Sequence, residues 1–258
     1  MFYLKRMLTL LCVLAISTTP SWGAVFPSLQ GSYLGGFQLM GTSAPVAAIL
    51  PYIEQDNLGR LTSEIALAGT TPQRFPMRGT ISPSGICTIV GTNAATPLVL
   101  HTTWEKFSYG AGGLYGSGTL PLTGGKKDGA LFFFRPMQLG NTPRPNVRGN
   151  FAGGYQSNTG AAGTVTAQIS DGTSNTFTVK LSFTQGQQTV TFASLGDVAP
   201  DGTFAGMGVS PDGSIAVIHG YIEQDNLRRP TRFVGTVEIK SVLGKPSVTN
   251  SIIAILIG

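Results

Sequence analysis

The seven residues Tyr52-Ile53-Glu54-Gln55-Asp56-Asn57-Leu58 recur letter for letter as Tyr221-Ile222-Glu223-Gln224-Asp225-Asn226-Leu227, at an offset of 221 − 52 = 169. Each copy carries two carboxylates two positions apart, Glu54 with Asp56 and Glu223 with Asp225. That spacing puts both on one side of an extended chain. Three chemistries are open to such a set. The paired carboxylates could bind a cation. Glu54 and Glu223, facing each other across two units, could be the acid and base of a secreted hydrolase. His219 could join Glu223 and Asp225 around a metal ion. Against these, no third or fourth oxygen ligand recurs at a fixed interval, and neither His101 nor His219 shares a motif with a serine or cysteine nucleophile. The sequence therefore implies no metal, no cofactor and no catalytic residue, and favours the heptapeptide as a structural corner.

The corner is expected at Asp56-Asn57 and Asp225-Asn226, because Asn and Asp are the non-glycine residues that best tolerate positive φ in a two-residue hairpin turn. Gly59 follows the first copy but Arg228 stands at that place in the second, so glycine is not expected to be needed there. This turn would set Glu223 opposite Arg228.

Two further groups could bind something. Arg228, Arg229 and Arg232 form the one tight basic cluster, which reads as a solvated strand end or an anion site. Trp104, Tyr109 and Tyr115, with Phe107, gather near Gly110 to Gly113 and could stack on a sugar or anchor a protein contact. In Phe132-Phe133-Phe134 an extended chain must send rings to both faces, and the ring that leaves the core is expected to cover a contact between two units.

The elements that position these groups are strands. Thirty-five glycines and the absence of any run of helical period mark an all-β chain. Two glycine-aromatic openings, Gly31-Ser32-Tyr33-Leu34-Gly35-Gly36-Phe37 and Gly149-Asn150-Phe151-Ala152-Gly153-Gly154-Tyr155, suit strands that other backbone approaches closely. Two openings imply two consecutive antiparallel meander units, each a small barrel or barrel-like sandwich, over 24–140 and 141–258. Strands are expected near 29–41, 46–55, 58–68, 76–81, 86–91, 97–108, 113–120 and 129–135, then 148–156, 162–169, 175–184, 187–194, 202–208, 214–223 and 231–240. The repeats conflict in one respect: the heptapeptide lies 52 − 31 = 21 residues after the first opening and 221 − 149 = 72 after the second. A copied hairpin or a permuted ring would each account for it.

Residues 1–23 have the three-part design of a secretory signal peptide: Lys5 and Arg6, an apolar run from Leu8 to Ile16, and small residues before Gly23. Removing it leaves 15 basic against 12 acidic residues, counted from the 17 and 12 of the whole chain, which is no footprint for nucleic acid. Cys87 is then unpaired and, among Ile86, Ile89 and Val90, is expected to be buried. The apolar tail, Ile252 to Ile257, should pair as a last strand in its own sheet, or alternatively with a partner chain. The sequence thus points to a secreted or periplasmic, non-catalytic β protein without a lipid anchor or transmembrane helix, whose partner is a small ligand, a glycan or a protein surface. A single outer-membrane ring of all the strands is a further alternative.

Overall fold

Along most of the chain, buried and exposed residues alternate one by one, and the strands they form close on themselves twice. The computed structural model describes residues 25–257 except 43, 69–72, 94–97, 108–109, 123–124, 138–141, 173–175 and 242–246. The expected signal peptide and the 140/141 boundary fall outside the described residues. The first barrel comprises β1 (Gly31–Leu39), β2 (Val46–Gln55), β3 (Arg60–Leu67), β4 (Gln73–Ile81), β5 (Ile86–Gly91), β6 (Val99–Lys106), β7 (Gly112–Leu122) and β8 (Gly125–Arg135). The second comprises β9 (Gly149–Ser157), β10 (Ala162–Asp171), β11 (Phe177–Gln185), β12 (Gln188–Val198), β13 (Thr203–Val209), β14 (Ser214–Gln224), β15 (Pro230–Ser241) and β16 (Val248–Leu256). Each is a closed antiparallel meander in which the last strand pairs with the first. Closure removes the free sheet edge that either a sandwich or an open sheet would retain. There are two separate rings, not one.

The glycine-aromatic openings are the strands on which each ring shuts. A Cβ on Gly35 would lie 1.9 Å from the carbonyl oxygen of Phe132 on β8, and one on Gly153 would lie 1.9 Å from that of Ile253 on β16. Only glycine lets the two backbones come so near. The aromatic residues between them turn inward: Tyr33, Phe37 and Phe151 are buried. The apolar tail is the closing strand β16, with Ile252 and Ala254 inside and Ile253 and Ile255 outside.

Both interiors are filled by side chains, as expected of an eight-stranded ring. Tyr33, Leu50, Leu100 and Leu114 in the first barrel, and Phe192, Val198, Ile222 and Val237 in the second, have 0% exposure, so no water-sized void touches them. Tyr33 satisfies its phenol inside the core by donating to the Leu29 carbonyl at 2.8 Å. Cys87 is free and buried, its thiol pushed up to about 11 by burial.

A third apolar cluster joins the barrels. β8 over 129–134 and β13 over 204–209 are buried on both faces. Phe133 fills the first barrel, while Phe132 and Phe134 face Ala205, Met207 and Val217 of the second. Met207 seats against Gly113, where a Cβ would meet its Cε at 2.7 Å. Beside this seam, Asp197 is fully buried and pairs with Arg144; its Oδ2 accepts the backbone N–H of Met137 at 2.7 Å, and Arg144 donates to the Met137 carbonyl. Burial pushes the Asp197 carboxyl up, opposed by the Met137 N–H and the Arg144 guanidinium. The connection between barrels is thereby fastened to β12.

Candidate functional site

The repeated heptapeptide is the same hairpin corner in both barrels, with the sharp bend one step later than its sequence suggests. Asp56 and Asp225 do not take the left-handed conformation; Gly59 (φ 73°) and Arg228 (φ 59°) do. The Gly59 N–H donates to the Asp56 carbonyl and the Arg228 N–H to the Asp225 carbonyl, so each loop is a three-residue turn that ends in a left-handed residue. The aspartates work through their side chains instead. Asp56 Oδ1 accepts the N–H groups of Leu58 and Arg60, both at 2.9 Å, while Oδ2 accepts from Arg60 Nε. Asp225 does the same with Leu227 and Arg229. These backbone donors hold both carboxyls below the usual range. The side chain that tolerates the corner is thus an acceptor for the bend rather than the bend itself.

The two glutamates have different surroundings, and the position of a bulge decides which. In the first barrel the β2/β3 register shifts between Ile49 and Glu54, across Pro51, and Glu54 comes to lie opposite Thr62. In the second the shift falls between Glu223 and Gln224, where Gln224 meets Pro230, and Glu223 comes to lie opposite Arg232 rather than Arg228. Each bulge coincides with a proline, which has no N–H for a regular ladder. Arg232 then grips Glu223 with two hydrogen bonds and holds its carboxyl low. Glu54 has no hydrogen-bond or ion-pair partner among the described residues and lines a groove on the outer wall of its barrel.

Consequently the structure does not assemble the chemistry the repeat suggested. Glu54 and Glu223 sit on outer walls of different barrels, outside the apolar seam that joins them. His219 shares the outer face of β14 with Glu223 but is engaged elsewhere: its Nε2 is 3.9 Å from Glu105 across the seam, and its ring meets Phe107 edge-on at 4.9 Å. Among the described residues no three His, Cys, Asp or Glu side chains converge as metal ligands. The basic cluster is spent internally, Arg229 on Asp225 and Arg232 on Glu223, leaving Arg228 solvated.

The aromatic group is dispersed too. Trp104 packs edge-on to Tyr33 at 6.1 Å, and its face is covered by the Arg135 guanidinium at 4.7 Å. Arg135 is held there by the carbonyls of Ser28 and Gln30. Tyr115 is half-buried beside the inter-barrel cluster, with Lys240 Nζ 5.9 Å from its ring. Tyr109 lies outside the described residues.

What the sequence did not single out is a crevice of about 670 Å³ between the barrels. One wall is the outer face of β1 and β2, with Leu34, Gln38, Ala47 and Ile49; the other is the outer face of β10 to β12, with Lys180, Ala193 and Leu195. Gln38 is fully buried. Its Nε2 donates toward the Leu39 carbonyl and the Thr42 carbonyl and hydroxyl at 2.7–3.0 Å, which fixes the amide so that Oε1 has no partner. Ser194 Oγ is also unpartnered, but it lies on the inner face of β12, opposite Val179 and against Gly208 inside the second barrel. A buried orphan of this kind costs about 1–3 kcal/mol. Lys180 at the rim has no ion-pair partner among the described residues. The sequence did offer a signal: Phe204-Ala205-Gly206-Met207-Gly208-Val209 does not alternate, which marks a strand covered on both faces and hence a second layer beside it.

No protein-family model matches the sequence, and no curated protein matches it. Among solved structures, the chain is similar to a protein of unknown function from the DUF3598 family of Nostoc punctiforme (11% identity, covering 93% of this chain and 100% of the other, TM-score 0.31). It is also similar to the di-domain ARO/CYC StfQ from the steffimycin biosynthetic pathway (8%, 90% and 85%, TM-score 0.19). A third similarity is to Burkholderia oklahomensis agglutinin (14%, 87% and 95%, TM-score 0.16). At these scores nothing of their roles is carried to this chain.

Proposed function

We propose that the protein is an exported, non-catalytic binding protein that holds a small, mainly apolar molecule between its two barrels. The observation that carries this reading is the buried, unpartnered oxygen Gln38 Oε1 on the outer face of β1, on a crevice whose remaining walls are largely aliphatic. Small-molecule sites have this composition and favour the junction of two domains. A ligand that donates to Gln38 would relieve the desolvation cost of its unpaired oxygen. Lys180 at the rim favours a ligand with an anionic end. The filled barrel interiors support the same reading, because they leave the outer walls to act.

The test uses anilinonaphthalene sulfonate, an apolar anionic fluorophore. It is expected to bind with one-to-one stoichiometry, and Ala47→Trp or Ala193→Trp, which fill the crevice from opposite walls, should weaken it at least tenfold without lowering the melting temperature. Ser194→Ala should raise the unfolding free energy by roughly 1 kcal/mol, since it deletes an unpaired buried hydroxyl. Fluorophore binding that ignores both tryptophans would end the proposal.

A further inference from the structure

The two copies of the heptapeptide face outward on different surroundings, and the first lines a recess. On the first barrel a groove of about 1020 Å³ runs over β2 to β5. Its floor follows the register: Glu54 is opposite Thr62, Thr62 opposite Arg78, and Arg78 opposite Val90. Strands lie about 4.8 Å apart, so Glu54 and Arg78 stand about 10 Å apart with the short Thr62 between them. Neither is paired with a described residue. Tyr52, 53% exposed, borders the same groove. The bulge that aims it is pinned by Ser63 Oγ, which donates to the Tyr52 carbonyl at 2.8 Å, and by Ser32, which donates to the Pro51 carbonyl.

On the second barrel the same letters have other neighbours. Glu223 is taken by Arg232, and the strand beyond β15 presents Ile253 and Ile255 outward instead of an arginine.

We infer that the β2–β5 groove of the first barrel is a binding site for a neutral oligosaccharide, with Tyr52 as stacking platform and Glu54 and Arg78 as hydroxyl acceptor and donor. A sugar ring has an apolar C–H face that suits a half-exposed phenol ring, and hydroxyls that suit side chains with paired acceptors or donors. The charges lining the groove cancel, Glu54 and Asp56 against Arg60 and Arg78, so the match is to an uncharged ligand. The groove is at the upper end of ordinary ligand sites and open along its length, which suits a chain of sugars rather than one. This inference stands apart from the inter-barrel crevice.

The experiment is titration calorimetry with maltohexaose, cellohexaose, mannohexaose and chitohexaose. At least one should bind; Tyr52→Ala and Glu54→Gln should each weaken it at least tenfold. Tyr221→Ala and Ala47→Trp should leave it within twofold, the first because the second copy is occupied by Arg232, the second because it blocks only the crevice. Circular dichroism of each variant checks folding. Absence of binding to all four, or equal loss with Tyr52→Ala and Tyr221→Ala, overturns the assignment.

Discussion

At the scale of single residues, the corners Asp56–Arg60 and Asp225–Arg229 are a matched pair with one difference, and the difference can be weighed. A Cβ on Gly59 would lie 2.7 Å from Phe26 and 2.8 Å from the Ile81 carbonyl oxygen, whereas Arg228 already carries a side chain in the same left-handed conformation. The strain of a non-glycine residue there is about 1–2 kcal/mol, partly offset by the greater freedom of glycine in the unfolded chain. Arg228→Gly is therefore expected to raise stability by about 0.5 kcal/mol. Gly59→Arg should lower it by about 2 kcal/mol or more, because strain and collision add. Urea denaturation of the two variants measures both. The expectation that glycine is dispensable at this place was right in the second barrel alone; sequence comparison could not see Phe26 closing on the first corner.

At the scale of elements, closure depends on how near the first and last strands come. Gly153 and its neighbour Gly154 make opposite demands: the former would collide with the backbone of β16, while a Cβ on Gly154 would meet only the Gly163 carbonyl oxygen, at an ordinary 3.7 Å. Gly153→Ala is expected to destabilise by roughly 1–3 kcal/mol, and Gly154→Ala to change stability by no more than about 0.5 kcal/mol, measured by chemical denaturation. The ring also accounts for the conflict between the two repeats. The openings are the first strands of both barrels, but the heptapeptide turns β2 into β3 in one and β14 into β15, the sixth and seventh strands, in the other. A move of four strands round a ring of eight preserves the up-down sense, so the same corner fits at the same end of either barrel.

At the scale of the whole molecule, two barrels with separate cores are coupled through β8, β13 and the buried Asp197–Arg144 pair. Removing one member of such a pair leaves the other without compensation. Asp197→Ala is expected to cost roughly 3 kcal/mol and to separate unfolding into two calorimetric transitions, since each barrel keeps its own core. Retention of a single transition at the original temperature would show that the apolar seam alone couples them. The arrangement of the barrels also makes the crevice: its walls are outer faces that, in an isolated barrel, would be ordinary surface.

Much of the architecture was legible because period-two burial is written locally. Phe177, Val179, Leu181 and Phe183 declare one inward face without reference to any other strand, and all four are buried. Glycine beside aromatic residues likewise announced strands under close approach, and the triple phenylalanine announced a contact outside the core. The candidate site was not legible, because Gln38 is an unremarkable polar residue until a second barrel packs beside its strand. Burial is a property of the docked pair, and which carboxylate stays free is set by bulges a few residues apart. Sequence alone determined the strands, the two meanders and their inward faces, since alternation is local; tertiary structure decided the turn residue, the fate of each glutamate and the crevice, since these depend on contacts between residues far apart in the chain.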